Sequence, residues 1–413
     1  MQKLNQNLKK IYKEESLVYQ EQRYLKALET FKKLYPKHND FSFYSSPGRT
    51  EIGGNHTDHQ HGMVLAATVN LDIIAVVAPN NSDSICINSE GFNLKEIKLN
   101  DLTFNPNEIG SSEALIKGIC SKFKNLNYNV KGFDAYATSD VLKGSGLSSS
   151  AAFENLIGTI LNYEFNNADI SATQIALISQ YAENVYFGKA CGLMDQMASA
   201  IGGFSFMDFK EPQKPIVEKI NFDFSDYNYF LCIVNTKGDH VDLTSDYTAI
   251  TEEMQLVAKA FGKKDLREVD EKDFFDNIAS LRKQIHDRAI LRAIHFFKDN
   301  QNALKEAQAL KNNDFETFKN LIKDSGNSSF KFLQNIFSLS KPLEQNLALA
   351  LALSEKILKD EGVSRVHGGG FAGTIQAYVP LKLAQEYEES MKKIFGQDSC
   401  HMLNIRNIGA TKL

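Results

Sequence analysis

Residues 140–161 read DVLKGSGLSSSAAFENLIGTIL, and no other stretch limits what this chain can fold into so strongly. Two glycines, Gly144 and Gly146, precede three serines and two alanines, after which Phe153, Leu156, Ile157, Ile160 and Leu161 recur at helical spacing. The pattern predicts a tight loop opening directly onto a helix. A helix N-terminus carries N–H groups without partners and a partial positive charge, so it favours a bound anion. Glycines let the backbone approach closely, and serines add hydroxyl donors or a metal ligand. The functional reading is a phosphate cradle; the bland one is a serine-capped helix after a glycine turn. Two better-known phosphate loops are excluded by spelling. A P-loop has its lysine after the glycines, whereas Lys143 precedes Gly144, and the dinucleotide fingerprint needs a third glycine where Ser149 stands.

A chain of 413 residues exceeds the roughly 250–300 at which single cores stop growing, so two domains are expected. The prolines Pro212 and Pro215, among charged neighbours, mark the boundary: 1–212 and 213–413, with 1–22 a possible helical extension. A net charge of -5 gives no electrostatic footprint for nucleic acid. The apolar runs at 73–78 and 347–353 are far short of the ~20 residues that span a bilayer, and the N-terminus has no apolar stretch able to act as a signal peptide. Five cysteines without C-x-x-C spacing argue against a disulfide framework and a zinc site. These features point to a cytoplasmic protein that partners neither nucleic acid nor membrane.

In chain order, residues 1–36 read as helical, the first twenty as a loosely attached extension. Residues 41–45 alternate like a short strand that runs into a turn at Pro47-Gly48-Arg49, and 64–79 read as two strand-like runs divided near Asn70. Between them lies GRTEIGGNHTDHQHG, with three histidines and two acids among four glycines. His56, Asp58, His59 and His61 are possible zinc ligands, but their order is not the H-x-H-x-D-H of binuclear zinc hydrolases; the remaining readings are a solvated loop or a loop gripping an organic ligand. Residues 133–138 read as a strand leading to the glycine-serine loop. Ser171 opens a capping box for a helix that Gly188 closes, placing Glu183 on a helix, off its apolar stripe. Residues 347–353 alternate Leu and Ala, and the strong helix propensity of alanine decides for a helix. A second glycine loop, residues 366–373, leads to a strand at 375–379.

Three separated motifs agree on one family. Residues 47–62 resemble the galactokinase signature G-R-x-N-L-I-G-E-H-T-D-Y, residues 144–152 are similar to the GHMP kinase phosphate loop G-x-G-L-x-S-S-A, and residues 367–373 are similar to the C-terminal glycine loop of that superfamily. The resemblance runs from about Tyr24 to the C-terminus. It implies an α+β, two-domain GHMP-kinase-like fold, with an N-terminal ribosomal protein S5 domain 2-like part, a C-terminal ferredoxin-like part and an active site in the cleft between them. It also implies a monomer or weak dimer that uses ATP and Mg²⁺ to phosphorylate the C1 hydroxyl of α-D-galactose.

Carried over position by position, the resemblance implies that Gly144, Ser145, Gly146, Leu147, Ser148, Ser149 and Ser150 hold the ATP phosphates. Ser149 or Ser150 would also touch Mg²⁺, with Glu183 as its acidic ligand. Asp195 would face the anomeric hydroxyl beside Arg49, and Asn55, His56, Asp58, Gly192 and Tyr247 would contact the sugar. The chain departs from the signature at Glu51 (for Asn), Asn55 (for Glu) and His59 (for Tyr). Because the family's glutamate receives the 6-hydroxyl, Asn55 is expected at C6 and leaves open a related kinase for an N-acetylhexosamine, galacturonate or arabinose. A catalytically silent sugar sensor on the same fold is the alternative of a different kind; the phosphate loop with Arg49 and Asp195 favours an enzyme.

Overall fold

The structure, a computed structural model, describes residues 2–90, 92–93, 96–141, 146–238, 243–371 and 373–413. Among these, one sheet of nine strands runs in the order Thr411–Lys412, Ser42–Gly53, Met63–Pro79, Phe133–Ser139, Ser84–Ser89, Phe92–Asn93. Off this path, Ile97–Lys98 pairs with Ser84–Ser89, and Phe204–Asp208 pairs with both Met63–Pro79 and Ile216–Ile220. The second sheet has four antiparallel strands in the order Val363–His367, Thr374–Pro380, Tyr229–Asn235, Cys400–Leu403.

Met63–Pro79 is the spine of the larger sheet, and it is one strand where the sequence suggests two. What changes near Asn70 is the neighbour: residues 63–67 pair with Phe204–Asp208, and residues 73–79 pair with Phe133–Ser139. Between the two partners the edge is closed from elsewhere, by Asn70 N donating to Asn404 O at 3.0 Å and Asp140 N donating to Asp72 O at 2.9 Å. The turn expected at Pro47-Gly48-Arg49 is likewise a bulge inside Ser42–Gly53, where the register slips between Pro47 and Arg49. Gly48 is required there, since a Cβ would lie 2.9 Å from the Leu147 carbonyl oxygen.

The first twenty residues are not loosely attached. Helix Gln2–Ile11 buries Leu4, Leu8 and Ile11, spaced 4 and 3 apart on one face, and helix Leu17–Leu34 buries Tyr24, Ala27 and Phe31. Both pack on Ile74, Val76 and Ala78 of the spine. Fully burying an apolar side chain of this size contributes about 1.5–3 kcal/mol, enough to dock the pair. The opposite set, Ile73, Ala75 and Val77, lies in the main core with Ile116, Ile119, Leu156 and Ile160, as the alternation of a strand requires.

Helix Ser149–Phe165 follows the glycine-serine stretch as its spacing predicts. The Ser171 hydroxyl accepts the Gln174 N–H at 3.2 Å to open Ala172–Tyr181. Helix Asn346–Leu358 resolves the Leu/Ala alternation: its buried residues, Leu347, Ala350, Ser354 and Leu358, are spaced 3, 4 and 4, a helical face. Aromatic rings join the two sheets, with Phe224 edge-on to Phe204 of the larger and to Tyr378 of the smaller, both at 5.2 Å between centroids.

Asp72 ties the ends of the chain to the spine. Its carboxylate, fully buried, takes Arg23 Nη1 at 2.6 Å and Arg406 Nη1 at 2.8 Å, with the Tyr12 and Ser45 hydroxyls donating to it as well. Burial alone would raise this carboxyl; the two guanidiniums outweigh it and hold it below the ordinary carboxylate value. Asp72→Asn removes the countercharge from two buried arginines. It should cost about 3–5 kcal/mol, read as a lower urea midpoint. Because the folded value is depressed, the stability Asp72 contributes is complete above its unfolded value of about 3.9 and drains as pH falls through the folded one; the variant should lose that dependence.

Candidate active site

Helix Ser149–Phe165 starts without a side-chain cap. Its N-cap, Ser148, adopts a left-handed φ of 55°, and its hydroxyl turns away from the helix to donate to Asp195 Oδ2 at 2.7 Å. The first N–H groups of the helix therefore keep their capacity for an anion. Gly146 has φ 71°, and a Cβ there would come within 2.9 Å of the His367 ring, so the second glycine loop begins against the first. Gly144 and Ser145 lie outside the described residues; Leu147 is buried in the core, and Ser149 and Ser150 form the first turn.

Arg49 leaves the bulge of Ser42–Gly53 and reaches three places. Its backbone N–H donates to Leu147 O at 3.0 Å, its Nη1 donates to Gly146 O, and its Nε and Nη2 grip Asp195 Oδ1 and Oδ2 at 2.7 and 2.5 Å. Asp195 lies in the first turn of helix Met194–Ile201, where the helix dipole favours an anion. Burial would push its carboxyl up, but Arg49, with help from Ser148 and Lys189, holds it below the ordinary value, so it is ionised at neutral pH.

Asp58 faces Asp195 from the histidine-rich loop with the opposite outcome. Burial, then the charges of Asp195 and Glu51, push its carboxyl up to about 7. It rests against Gly192, where a Cβ would sit 1.8 Å from Asp58 Oδ2, so only glycine leaves it room. Burial pushes the His56 and His59 imidazoles down to about 4 and 3, making both neutral, and His56 donates to Gly369 O at 3.0 Å.

Glu183 sits in a π-helical turn, Ala182–Phe187, and not in a regular helix; the extra residue swings it inward until it is 2 % exposed. Its Oε1 receives the Ser150 hydroxyl and Lys189 Nζ, each at 3.1 Å, while Oε2 receives Gln196 Nε2 at 2.7 Å and the Cys191 thiol at 3.1 Å. A carboxylate beside a hydroxyl, both oxygen donors at the helix N-terminus, fits the partial protein share that Mg²⁺ takes. Among the described residues no group of three or more His, Cys, Asp and Glu converges as a metal cage, so the zinc reading of the histidine loop has no geometry behind it.

The second glycine loop closes on the first motif through its carbonyls. Gly368 O accepts Asn55 Nδ2 at 2.7 Å, Gly369 O accepts His56 and Asn335, and Gly370 O accepts the Tyr247 hydroxyl at 3.1 Å. Tyr247 thus stands beside the motif, its ring packed on Gly369.

Asn55 is the clearest difference from expectation. It is fully buried and its amide is fully engaged: Nδ2 donates to Glu51 and Gly368 O, and Oδ1 accepts Asn335 Nδ2 at 3.0 Å and the Ser329 hydroxyl at 3.3 Å. No donor or acceptor is left for a sugar's C6 group. Two of the three departures from the signature, Glu51 and Asn55, are hydrogen-bonded to each other, and Glu51 is paired with Arg365 at 2.5 Å. Sequence reasoning missed Arg365, although a lone arginine in the strand Val363–His367, next to Val366, was its signal; it also missed Asp299, which accepts the Asn55 N–H at 2.7 Å.

A glycine-serine helix N-terminus with an ionised carboxylate at its mouth, set between these two sheets, places the protein among the GHMP kinases. The family model for the GHMP kinases N terminal domain matches residues 114–203, and the galactokinase galactose-binding signature matches residues 29–79. The galactokinase of Glaesserella parasuis is 30% identical over 364 residues, covering 86% of this chain and 88% of the relative; that of Clostridium acetobutylicum is 30% identical over 406 residues, covering 93% and 98%. The Lactococcus lactis galactokinase solved with galactose has a TM-score of 0.80 at 21% identity, covering 93% of this chain and 98% of that one. The Methanococcus jannaschii mevalonate kinase has a TM-score of 0.61 at 17% identity, covering 90% and 100%. The chain belongs to the galactokinase family.

The contrast between the two acids is measurable. In the ligand-free protein one site carboxyl should titrate near pH 7 and disappear in Asp58→Asn, while Asp195 should titrate below its ordinary value of about 3.9. Carbon-13 NMR of labelled aspartate reads both; Asp58 titrating near pH 4 would contradict the burial argument.

Proposed function

We propose that this protein transfers the γ-phosphoryl group of ATP to the C1 hydroxyl of α-D-galactose, giving galactose 1-phosphate and ADP. The observation that carries the reading is Asp195, held ionised by a bidentate Arg49 at the mouth of the uncapped helix. ATP phosphates meet the N–H groups and hydroxyls of Ser149 and Ser150, and the sugar lies against Asp195, Asp58, His56, Gly192 and Tyr247. Glu183 with Ser149 or Ser150 would hold Mg²⁺, which would supply charge neutralisation at the phosphate oxygens.

Phosphoryl transfer passes through a loose transition state, so the protein's task is positioning and charge balance. Asp195 orients the C1 hydroxyl by accepting its hydrogen bond. A carboxylate held below its ordinary value is a weaker base, and it takes the proton late, once bonding to phosphorus has acidified the hydroxyl. Arg49 keeps Asp195 charged until then and balances charge on the transferred group. Asn55 belongs to the wall that joins the two glycine loops, leaving the sugar to its neighbours.

The test is ADP release against galactose, N-acetylgalactosamine, galacturonate and arabinose; turnover of none of them would leave a sugar sensor. Asp195→Asn should keep ATP binding and the fold while lowering kcat about 10²–10⁴-fold. Near-normal turnover would remove Asp195 from the mechanism. Galactose binding carries a further sign. If sugar hydroxyls donate to Asp58, binding favours its ionised form, so below pH 7 each bound sugar must expel a proton. Affinity should then rise up to about tenfold per unit as pH approaches 7 and level off above it, and Asp58→Asn should flatten the profile. Affinity falling over that range would exclude Asp58 as the acceptor.

A further inference from the structure

Directly after Asp195 comes Gln196, fully buried, whose amide nitrogen lies between two buried carboxylates. Nε2 donates to Glu183 Oε2 at 2.7 Å and to Glu154 Oε2 at 3.0 Å. Its main chain is fixed too, since Gln196 O accepts Asn155 Nδ2 at 2.8 Å. Three elements therefore meet on one residue: helix Ser149–Phe165 through Glu154 to its side chain and Asn155 to its main chain, the π-helical turn Ala182–Phe187 through Glu183, and helix Met194–Ile201, which carries Gln196 beside Asp195.

The two oxygens of Glu183 face different ways. Oε2 points back to Gln196 and Cys191, and Oε1 points forward to Ser150 at the start of helix Ser149–Phe165, where Lys189 Nζ also donates to it at 3.1 Å. An ionised carboxylate rotates about its last torsion with little resistance, so a rear hydrogen bond decides which oxygen is presented. A donor limited to Cys191 would be weak, as thiols are. The Gln196 amide is the stronger rear donor, and it cannot shift without breaking its bond to Glu154.

We propose that Gln196 is a positioning residue for the metal-binding carboxylate: anchored by Glu154, it holds the rear oxygen of Glu183 so that the other faces Ser150 and the nucleotide phosphates. The inference rests on Glu183 as a metal ligand, part of the proposed function. Because Gln196 adjoins Asp195 on one helical turn, the acceptor carboxylate and the metal carboxylate are set by the same short helix.

The experiment measures Mn²⁺ binding by electron paramagnetic resonance, with a non-hydrolysable ATP analogue present, and galactose binding by calorimetry. Native protein should bind Mn²⁺, and Glu183→Ala should not; equal binding in those two overturns the metal assignment itself. With that assignment standing, Gln196→Met should weaken Mn²⁺ binding about 10–100-fold, the usual cost of losing a partner behind a metal ligand, with galactose affinity within about twofold of native. Gln196→Asn, which keeps the amide but withdraws it by one methylene, should weaken Mn²⁺ in the same direction and serves if the methionine variant does not fold. Glu154→Gln still offers an acceptor to Nε2 and should stay within about threefold of native. Unchanged Mn²⁺ affinity in both Gln196 variants overturns the proposal. So does a Glu154→Gln loss as large as that of Gln196→Met, which would assign the effect to packing of the cluster.

Discussion

The bidentate contact between Arg49 and Asp195 is the interaction on which the site depends. It joins a bulged strand to a short helix, and the same guanidinium holds Gly146 O, so the glycine-serine stretch and the Asp195 carboxylate share one fixed point. Arg49 is 7 % exposed, and a charge so poor in water demands its partner. The bulge at Pro47 and Arg49 aims the side chain, and Gly48 lets the bulge close on Leu147 O. Geometry this tightly determined costs no reorganisation when charge develops on the transferred phosphoryl group.

Behind the sugar side, a buried polar wall plays the complementary part. Glu51, Asn55, Arg365, Asp299 and the carbonyls of Gly368 and Gly369 satisfy one another with almost nothing left over for a ligand. Asp299 Oδ1 and both oxygens of Glu306 are the exceptions among the described residues, each without a hydrogen-bond partner, and burial followed by the charge of Asp299 pushes the Glu306 carboxyl far up, toward the neutral acid. It lies where a side chain at Gly53 would be, with Glu306 Oε2 1.6 Å from the place of a Cβ. Burial shifts both Glu51 and Glu306 toward the neutral acid, while the charge of Arg365 works against the shift.

Much of this was legible in the sequence, because the signals were local. Ser171, the glycine-serine loop and the helical spacing after it act over three to seven residues, and they produced the elements expected. The family motifs named Arg49, Asp195, Asp58 and Glu183, and the fold brings these together. What escaped detection depends on distant partners. The continuity of Met63–Pro79 is set by which strand lies beside it, the docking of residues 2–12 by the face of a sheet not yet formed, and the inward turn of Glu183 by one extra residue in a helix. Asn55 shows the same limit. A one-residue match to a motif assigns a position, but whether the side chain reaches a ligand depended on Asn335, Ser329 and Gly368, nearly three hundred residues away or more.

The Asp72 junction sets an order on the making of the protein. Arg406, one of its two cationic partners, lies 334 residues after Asp72, and Thr411–Lys412, the strand beside Ser42–Gly53, follows it. At roughly 5–20 residues per second, on the order of 20–60 s pass between translation of Asp72 and of Arg406. During that interval the larger sheet has an open edge, and Asp72 has Arg23 alone. Until residues 411–412 emerge, the edge of the larger sheet at Tyr44 and Ser45 lacks its partner strand, and an open edge of this kind invites pairing with other chains.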